Sequence, residues 1–274
     1  MLKTRIITAT ILVIGFLGVL FFLPSNIWAL LTLAATLVGV WEWGNLIKLN
    51  QTQLRIYFAI ALLLGLSFIL APSSSFSSYQ EVLAMSLLSV AAIFWILFAP
   101  WLLLTRKNLQ HPFTMSILGV VLLFSTWIGL MGLHRINPWL LLAVLATVWI
   151  ADTAAYFAGK RYGRNKLAPL ISPGKTWEGV IGAIAAVTVY GLILSAYFKI
   201  SLWLIVGLWL IVILSIMGDL FESLLKRQAG LKDSGQLLPG HGGVLDRIDG
   251  LIPSLALTLF YIYFPLFTKL SLHA

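Results

Sequence analysis

The chain is 274 residues long, 60% hydrophobic and only 10% charged, with a mean hydropathy of +0.99. That composition excludes a soluble globular domain, and apolar runs of about twenty residues recur along the whole length, as membrane-spanning segments do. The runs are continuously apolar and do not alternate, which excludes a β-barrel and leaves an all-α polytopic integral membrane protein.

The net charge of +9 reads as topology and not as a nucleic-acid footprint, because Lys and Arg collect in cytoplasmic loops. There is no cysteine, which removes disulfides, thiolate chemistry and cysteine metal sites. The basic N-terminus leads into an apolar run, Ile6 to Leu23, that is long for a signal peptide and is followed by no small-x-small cleavage site. It is read as a retained first span.

Nine spans are expected, at residues 6–23, 27–47, 54–71, 83–104, 114–133, 138–158, 178–198, 202–222 and 251–268. Polar or proline-containing breaks separate them: Pro24–Asn26, Lys48–Gln53, Ser73–Ser78, Arg106–Pro112 and His134–Pro138. The break at Lys199–Ser201 is so short that spans seven and eight should form a tight hairpin. With the N-terminus cytoplasmic, fifteen of the eighteen basic residues fall on the cytoplasmic side and only Arg135, Lys199 and Lys269 on the other. That asymmetry supports both the span count and the orientation. It also turns the two long polar loops, 159–177 and 223–250, toward the cytoplasm.

The first half is chemically bland apart from Trp41-Glu42-Trp43-Gly44 at the end of span two. Glu42 is either a snorkelling acid in an aromatic anchor or a contact to the second half or a lipid headgroup. In span six, Asp152 interrupts the run WIADTAAYFAG. An ionisable group at membrane depth marks either a functional position or a structural ion pair, and the small residues around it suit close helix packing.

Next comes Ser172-Pro173-Gly174-Lys175-Thr176. It is not a nucleoside-triphosphatase phosphate loop, since the required first glycine is Pro169. Two readings of it remain. In one, Gly174, Lys175 and the free amides of a helix starting near Thr176 receive an anion; in the other, a basic loop rests on anionic lipid.

Gly218–Gly250 is unlike the rest of the chain. It holds five of the nine acidic residues (Asp219, Glu222, Asp233, Asp246, Asp249), four basic ones (Lys226, Arg227, Lys232, Arg247) and His241. Asp219 and Glu222 are three apart and share a helix face, with Lys226 four beyond Glu222. Asp246 and Asp249 are again three apart. Oxygen ligands without cysteine suit a hard cation such as Mg2+. Between the pairs, Pro239-Gly240-His241-Gly242-Gly243 has the glycines of an anion nest. Carboxylates for Mg2+, a glycine nest and basic side chains are the parts needed for phosphoryl or nucleotidyl transfer.

The run Ser223-x-x-Lys226-Arg227, Lys232-Asp233-Ser-Gly, Pro239-Gly-His241-Gly242-Gly243 and Asp246-Arg247-Ile-Asp249 resembles the signature of phosphatidate cytidylyltransferases. The segments WEWG, ADTAAYFAGK and SPGKTWEG resemble the bacterial members. The resemblance implies a Mg2+-dependent reaction of CTP with phosphatidate in the bacterial cytoplasmic (inner) membrane, giving CDP-diacylglycerol and pyrophosphate, with K+ as a second cation and a homodimer as the assembly. Residues 1–135 would then be scaffold, lipid contact and dimer interface, and 136–274 the catalytic region.

On that reading Asp219 and Asp246 are the first-choice metal carboxylates, with Asp249 and Glu222 second. Lys226, Arg227, Lys232 and Arg247 meet phosphates, Lys175 and Asp152 face the same cavity, and Asp233, His241, Gly242 and Gly243 complete substrate binding. A lipid kinase using CTP or ATP differs only in the phosphorus attacked. An ion-coupled transporter predicts charges spread through several spans, whereas seven of the nine acids lie between Asp152 and Asp249.

Overall fold

The computed structural model describes residues 14–70, 77–109, 111–235 and 242–264. His241 and the start of the first expected span lie outside them. Seven helices are long and apolar enough to cross a membrane among the described residues. These are α1 (Ser25–Leu46), α2 (Gln51–Leu70), the run of α3 (Ser77–Ile93) through a wide turn, Phe94–Phe98, into α4 (Ala99–Thr105), then α5 (Pro112–Ile136), α6 (Pro138–Tyr162), α7 (Trp177–Phe198) and α8 (Trp203–Ala229). They match seven of the nine expected spans. Residues 14–22 are also helical.

The ninth expected span differs. Helix α10 (Leu251–Tyr263) has 13 residues, about 20 Å at 1.5 Å per residue against a hydrocarbon core of about 30 Å. Its Ile252, Leu255, Ala256 and Leu259 are buried in the bundle, and it packs on α5, α3 and α8.

Proline and glycine set the local shapes. The wide turn at Phe94–Phe98 precedes Pro100, whose missing N–H and ring cannot be accommodated in regular α-helix. It puts Phe94 and Trp95 against Phe221 of α8, with ring centroids 5.1 and 5.5 Å apart, while Trp43 of α1 approaches the same ring at 6.4 Å. Between α6 and α7 the small residues do what their sizes suggest: a side chain on Gly182 would collide with Ala158. The α7–α8 connection is the expected tight hairpin, turned by Lys199 at φ 54°.

Two expected loops are more ordered than their composition suggests. Helix α8 runs unbroken to Ala229, so the second polar loop starts at Gly230 and not at Ser223. At 27 residues α8 is about 40 Å long, which carries its last turns beyond an apolar core of about 30 Å. The first polar loop contains an antiparallel hairpin, β1 (Lys166–Ala168) with β2 (Ser172–Thr176). Strands this short, one of them holding Pro173 and Gly174, carry no strand pattern.

Ile171, in the hairpin turn, is 5% exposed and packs with Leu220 and Leu224 of α8, and with Leu103 of α4. The 106–111 connection joins the same end of the bundle: Gln228 accepts from the Leu109 amide at 3.1 Å and donates to the Lys107 carbonyl at 3.0 Å. Two connecting segments therefore meet on the terminal turns of α8.

Gly218 is where the 249–250 turn docks. A side chain there would overlap the Asp249 carbonyl and come 2.9 Å from the Pro253 ring. Gly218→Val is expected to lower the thermal midpoint in detergent by overpacking, about 1–3 kcal/mol, and to abolish turnover. Gly207→Ala, in the same helix with open space around it, is expected to leave both unchanged.

Candidate functional site

At this end of the bundle two charged clusters stand on α8, both anchored in its last three turns. The first joins Asp219 to Lys175. Three contacts carry Lys175 there: the Ile171 anchor, the hairpin, and the start of α7, where Thr176 Oγ1 accepts from the Gly179 amide at 3.1 Å. The Lys175 ammonium then forms an ion pair with Asp219 Oδ2. Asp249 belongs to this neighbourhood. Its Oδ1 accepts from the Gly250 amide at 2.7 Å. Burial, and after it the charge of Asp219, push its carboxyl up to about 7, against a smaller pull from the Gly250 amide and Lys175; Asp152 adds to the rise. Asp152, exposed on α6, is thus within electrostatic reach of the same group.

The second cluster is centred on Lys226. Its ammonium lies 2.5 Å from Asp246 Oδ1 and 2.6 Å from Glu222 Oε2. Glu222 is 4% exposed, and its Oε1 has no hydrogen-bond partner. Asp246 sits on the four-residue helix α9 (Leu245–Ile248). Its Oδ2 accepts from the Ser234 amide and hydroxyl, both at 2.9 Å, and from the Gly243 amide at 2.8 Å. Although burial opposes it, the Lys226 ammonium and those amides hold this carboxyl down at about 2. Gly242 takes φ 81°, a left-handed turn that leads into the Gly243 contact.

The sequence-derived candidates therefore separate. Asp219, Lys175, Asp249 and Asp152 come together; Glu222, Lys226, Asp246, Gly242 and Gly243 form the adjoining group. Arg227, Lys232, Asp233 and Arg247 are exposed around them. His241 lies outside the described residues. Two details differ from the sequence reading. The amides at the start of α7 are partly spent, since Trp177 N donates to Asn165 O at 3.0 Å and Gly179 N to Thr176, so an anion finds fewer free donors there. In the pair Asp233-Ser234, the buried and bonded member is Ser234.

Sequence reasoning left Glu42 between two readings and did not single out Ser234. Glu42 is 4% exposed and accepts from the Val244 amide at 2.9 Å and the Leu245 amide at 2.8 Å. An acid between two tryptophans was the visible signal; its partners, some 200 residues further on, were not.

Whether these residues fit a cation can be judged from charge and donors. The first cluster sets three carboxyl groups against one ammonium, and the charge of Asp219 adds to burial in raising Asp249. Among the described residues no three carboxylates or histidines converge into a ready-made cage. Mg2+ does not need one, because it binds through one or two carboxylates plus waters and substrate phosphates. Asp219 and Asp249 fit that pattern. Asp246 can join a cation only through Oδ1, which Lys226 already shares.

A bundle of apolar helices with its carboxylates and ammonium groups gathered at one end is the form of a membrane-embedded enzyme acting at the lipid–water boundary. The chain belongs to the Cytidylyltransferase family, which it matches over residues 3–267. It is 39% identical over 262 residues to a phosphatidate cytidylyltransferase of Pseudomonas aeruginosa, covering 92% of this chain and 93% of that protein. A phosphatidate cytidylyltransferase of Haemophilus influenzae is 34% identical over 288 residues, with 97% and 100% covered, and one of Staphylococcus saprophyticus 34% over 260, with 92% and 95% covered.

Asp249 has a pH consequence. The folded chain keeps a proton on it from about pH 3.8, its ordinary value, up to about 7, while the unfolded chain has lost that proton. Stability of the metal-free protein therefore falls as pH rises through this window. Asp249→Asn is expected to flatten the decline of the thermal midpoint between pH 4 and 7, measured in detergent with chelator present.

Proposed function

We propose that this chain transfers the cytidylyl group of CTP to phosphatidate, giving CDP-diacylglycerol and pyrophosphate. The observation that carries the proposal is the junction of the two α8 clusters, acidic and ammonium groups together at the end of an apolar bundle. Such a place lets a water-soluble triphosphate meet a lipid phosphate. The names carried by the full-length relatives supply the substrates.

A phosphatidate phosphate oxygen attacks the α-phosphorus of CTP. The new P–O bond forms as the bond from that phosphorus to the β-phosphate oxygen breaks, and pyrophosphate leaves. The nucleophile is already anionic, so no strong base is required. The work is positioning and charge neutralisation. Asp219 and Asp249, with Asp246 and Glu222 beside them, are the residues that would hold Mg2+. Bound there, it would offset triphosphate charge, and the family resemblance adds K+ as a second cation. Lys175 pairs with Asp219, and Lys226 with Glu222 and Asp246, and both would turn to phosphate oxygens. Arg227, Lys232 and Arg247 extend the positive surface toward the nucleotide.

The basic-residue asymmetry supports a cytoplasmic site in a bacterial inner membrane. Exposed Lys160, Arg161, Arg164 and Lys166 beside the hairpin suit an anionic lipid surface. A homodimer is carried by the family resemblance.

Asp219→Asn and Asp249→Asn are each expected to lower turnover by about 100-fold or more, followed as pyrophosphate release from CTP and phosphatidate in detergent micelles. Near-normal turnover in both would remove the metal assignment. Release of nucleoside diphosphate in place of pyrophosphate would make the chain a lipid kinase. Lys175→Ala is expected to raise the KM of one substrate more than that of the other; equal KM values to the parent would return the hairpin to simple lipid contact.

A further inference from the structure

Glu42 belongs to α1, in the half of the chain that carries none of the motifs, yet both its oxygens are committed to the loop at the other end of the sequence. Oε1 accepts from Val244 N at 2.9 Å and Oε2 from Leu245 N at 2.8 Å, across a separation of 203 residues in the latter case. Oε2 also lies 3.4 Å from the Ser234 hydroxyl. Among the described residues no lysine or arginine pairs with it. Among the described residues its negative charge is met by those two backbone amides and the Ser234 hydroxyl, and it is 4% exposed.

Those amides need it. Helix α9 is preceded by Val244, whose side chain cannot cap, and no side chain of its own segment does so. A helix start without a cap leaves its amides unsatisfied. Glu42 supplies the missing acceptor from another helix.

The loop is also built to admit this carboxylate. A side chain on Gly235 would overlap Glu42 Oε1 and come 2.8 Å from its Cδ, and the three nearest atoms it would meet all belong to Glu42. On Gly243 it would come 2.6 Å from Oε2 and 2.7 Å from Oε1. Asp246 holds the same two segments, through the Ser234 amide and hydroxyl and the Gly243 amide. The two carboxylates thus clamp 234–235 to 243–245, the entry and exit of the glycine-histidine loop. Asp246 in turn aims the Lys226 ammonium.

We infer that Glu42 is a positioning residue for the reaction: it fixes the mouth of the glycine-histidine loop and, through Ser234, the orientation of Asp246 and Lys226. It touches neither substrate. The inference rests on the cytidylyltransferase reading for its kinetic consequences, but the clamp itself is visible without turnover.

The test uses the full chain in detergent, with Glu42→Gln, Glu42→Asp, Glu42→Ala and Gly235→Ala, and the double variant Glu42→Ala/Gly235→Ala. Glu42→Gln replaces one acceptor with a donor facing backbone amides. It is expected to lower kcat/KM for CTP by about 10- to 100-fold, the scale of an outer-shell partner, with the KM for phosphatidate unchanged. Amide hydrogen exchange should rise at Val244 and Leu245 and stay unchanged in α5. Glu42→Asp, which keeps two acceptors, should recover part of the loss.

Gly235→Ala should reduce activity by itself and add nothing in the Glu42→Ala background, because the collision it makes is with Glu42. Parent-like kcat/KM for CTP in Glu42→Gln overturns the inference. So does a loss shared equally by both substrates with exchange raised throughout the bundle, which is what a purely structural role gives. If the parent chain releases no pyrophosphate, the functional reading fails. The clamp then stands on a local exchange increase and falls without one.

Discussion

The Lys226 ammonium, held between Glu222 and Asp246 at 2.6 and 2.5 Å, is the interaction on which the site depends. It ties the last turns of the longest helix to a four-residue helix that could not hold its own place. Helix α9 is a single turn, and an isolated turn of helix is unstable. What keeps it in position is charge, Asp246 to Lys226 and Glu42 to the Val244 and Leu245 amides, together with Leu245, which is fully buried in the core. A buried ion pair is an uncertain source of stability, since desolvation offsets much of the Coulomb attraction. Removing one partner is costly, because the remaining charge stays buried alone. The arrangement specifies a geometry more than it adds stability.

The apolar bundle exists to present that geometry. Phe221 sits between Asp219 and Lys226 on α8 and is gripped by Trp43, Phe94 and Trp95. The aromatic contacts fix the rotation of α8, and with it the side to which Asp219 and Glu222 point. Gly218 lets the 249–250 turn come against the helix, and Ile171 brings the hairpin and Lys175 in from the other flank. Each cluster then holds an excess of carboxylate over ammonium. Burial, and after it the neighbouring charge of Asp219, raise the Asp249 carboxyl there. A divalent ion and a polyphosphate would restore balance together, the ion by adding positive charge and the phosphates by engaging the lysines.

Glu42 changes the division of labour between the halves. A separation into scaffold before residue 135 and chemistry after it follows from where the motifs lie. The first half nonetheless contributes a carboxylate to the loop, and Gln228 ties the 106–111 connection to α8. The charged end of the bundle is assembled from both.

The sequence by itself determined the membrane class, seven of the spans now seen, the α7–α8 hairpin, the small-residue face of α6 and the candidate carboxylates and lysines. These rest on local signals: apolar length, breaks at proline and polar residues, and helical spacing, all of which read out within a few residues. The tertiary structure decided which charges meet. It paired Lys175 with Asp219, put Asp246 on Lys226, buried Ser234 in place of Asp233, made a hairpin of a proline-containing loop, and ended the helix that follows the 249–250 turn at Tyr263. It also gave Glu42 partners some 200 residues away. Partner choice at such separations depends on how helices rotate and pack, and hydropathy does not encode rotation. A carboxylate beside a tryptophan has the same local sequence whether it faces headgroups or caps a distant helix.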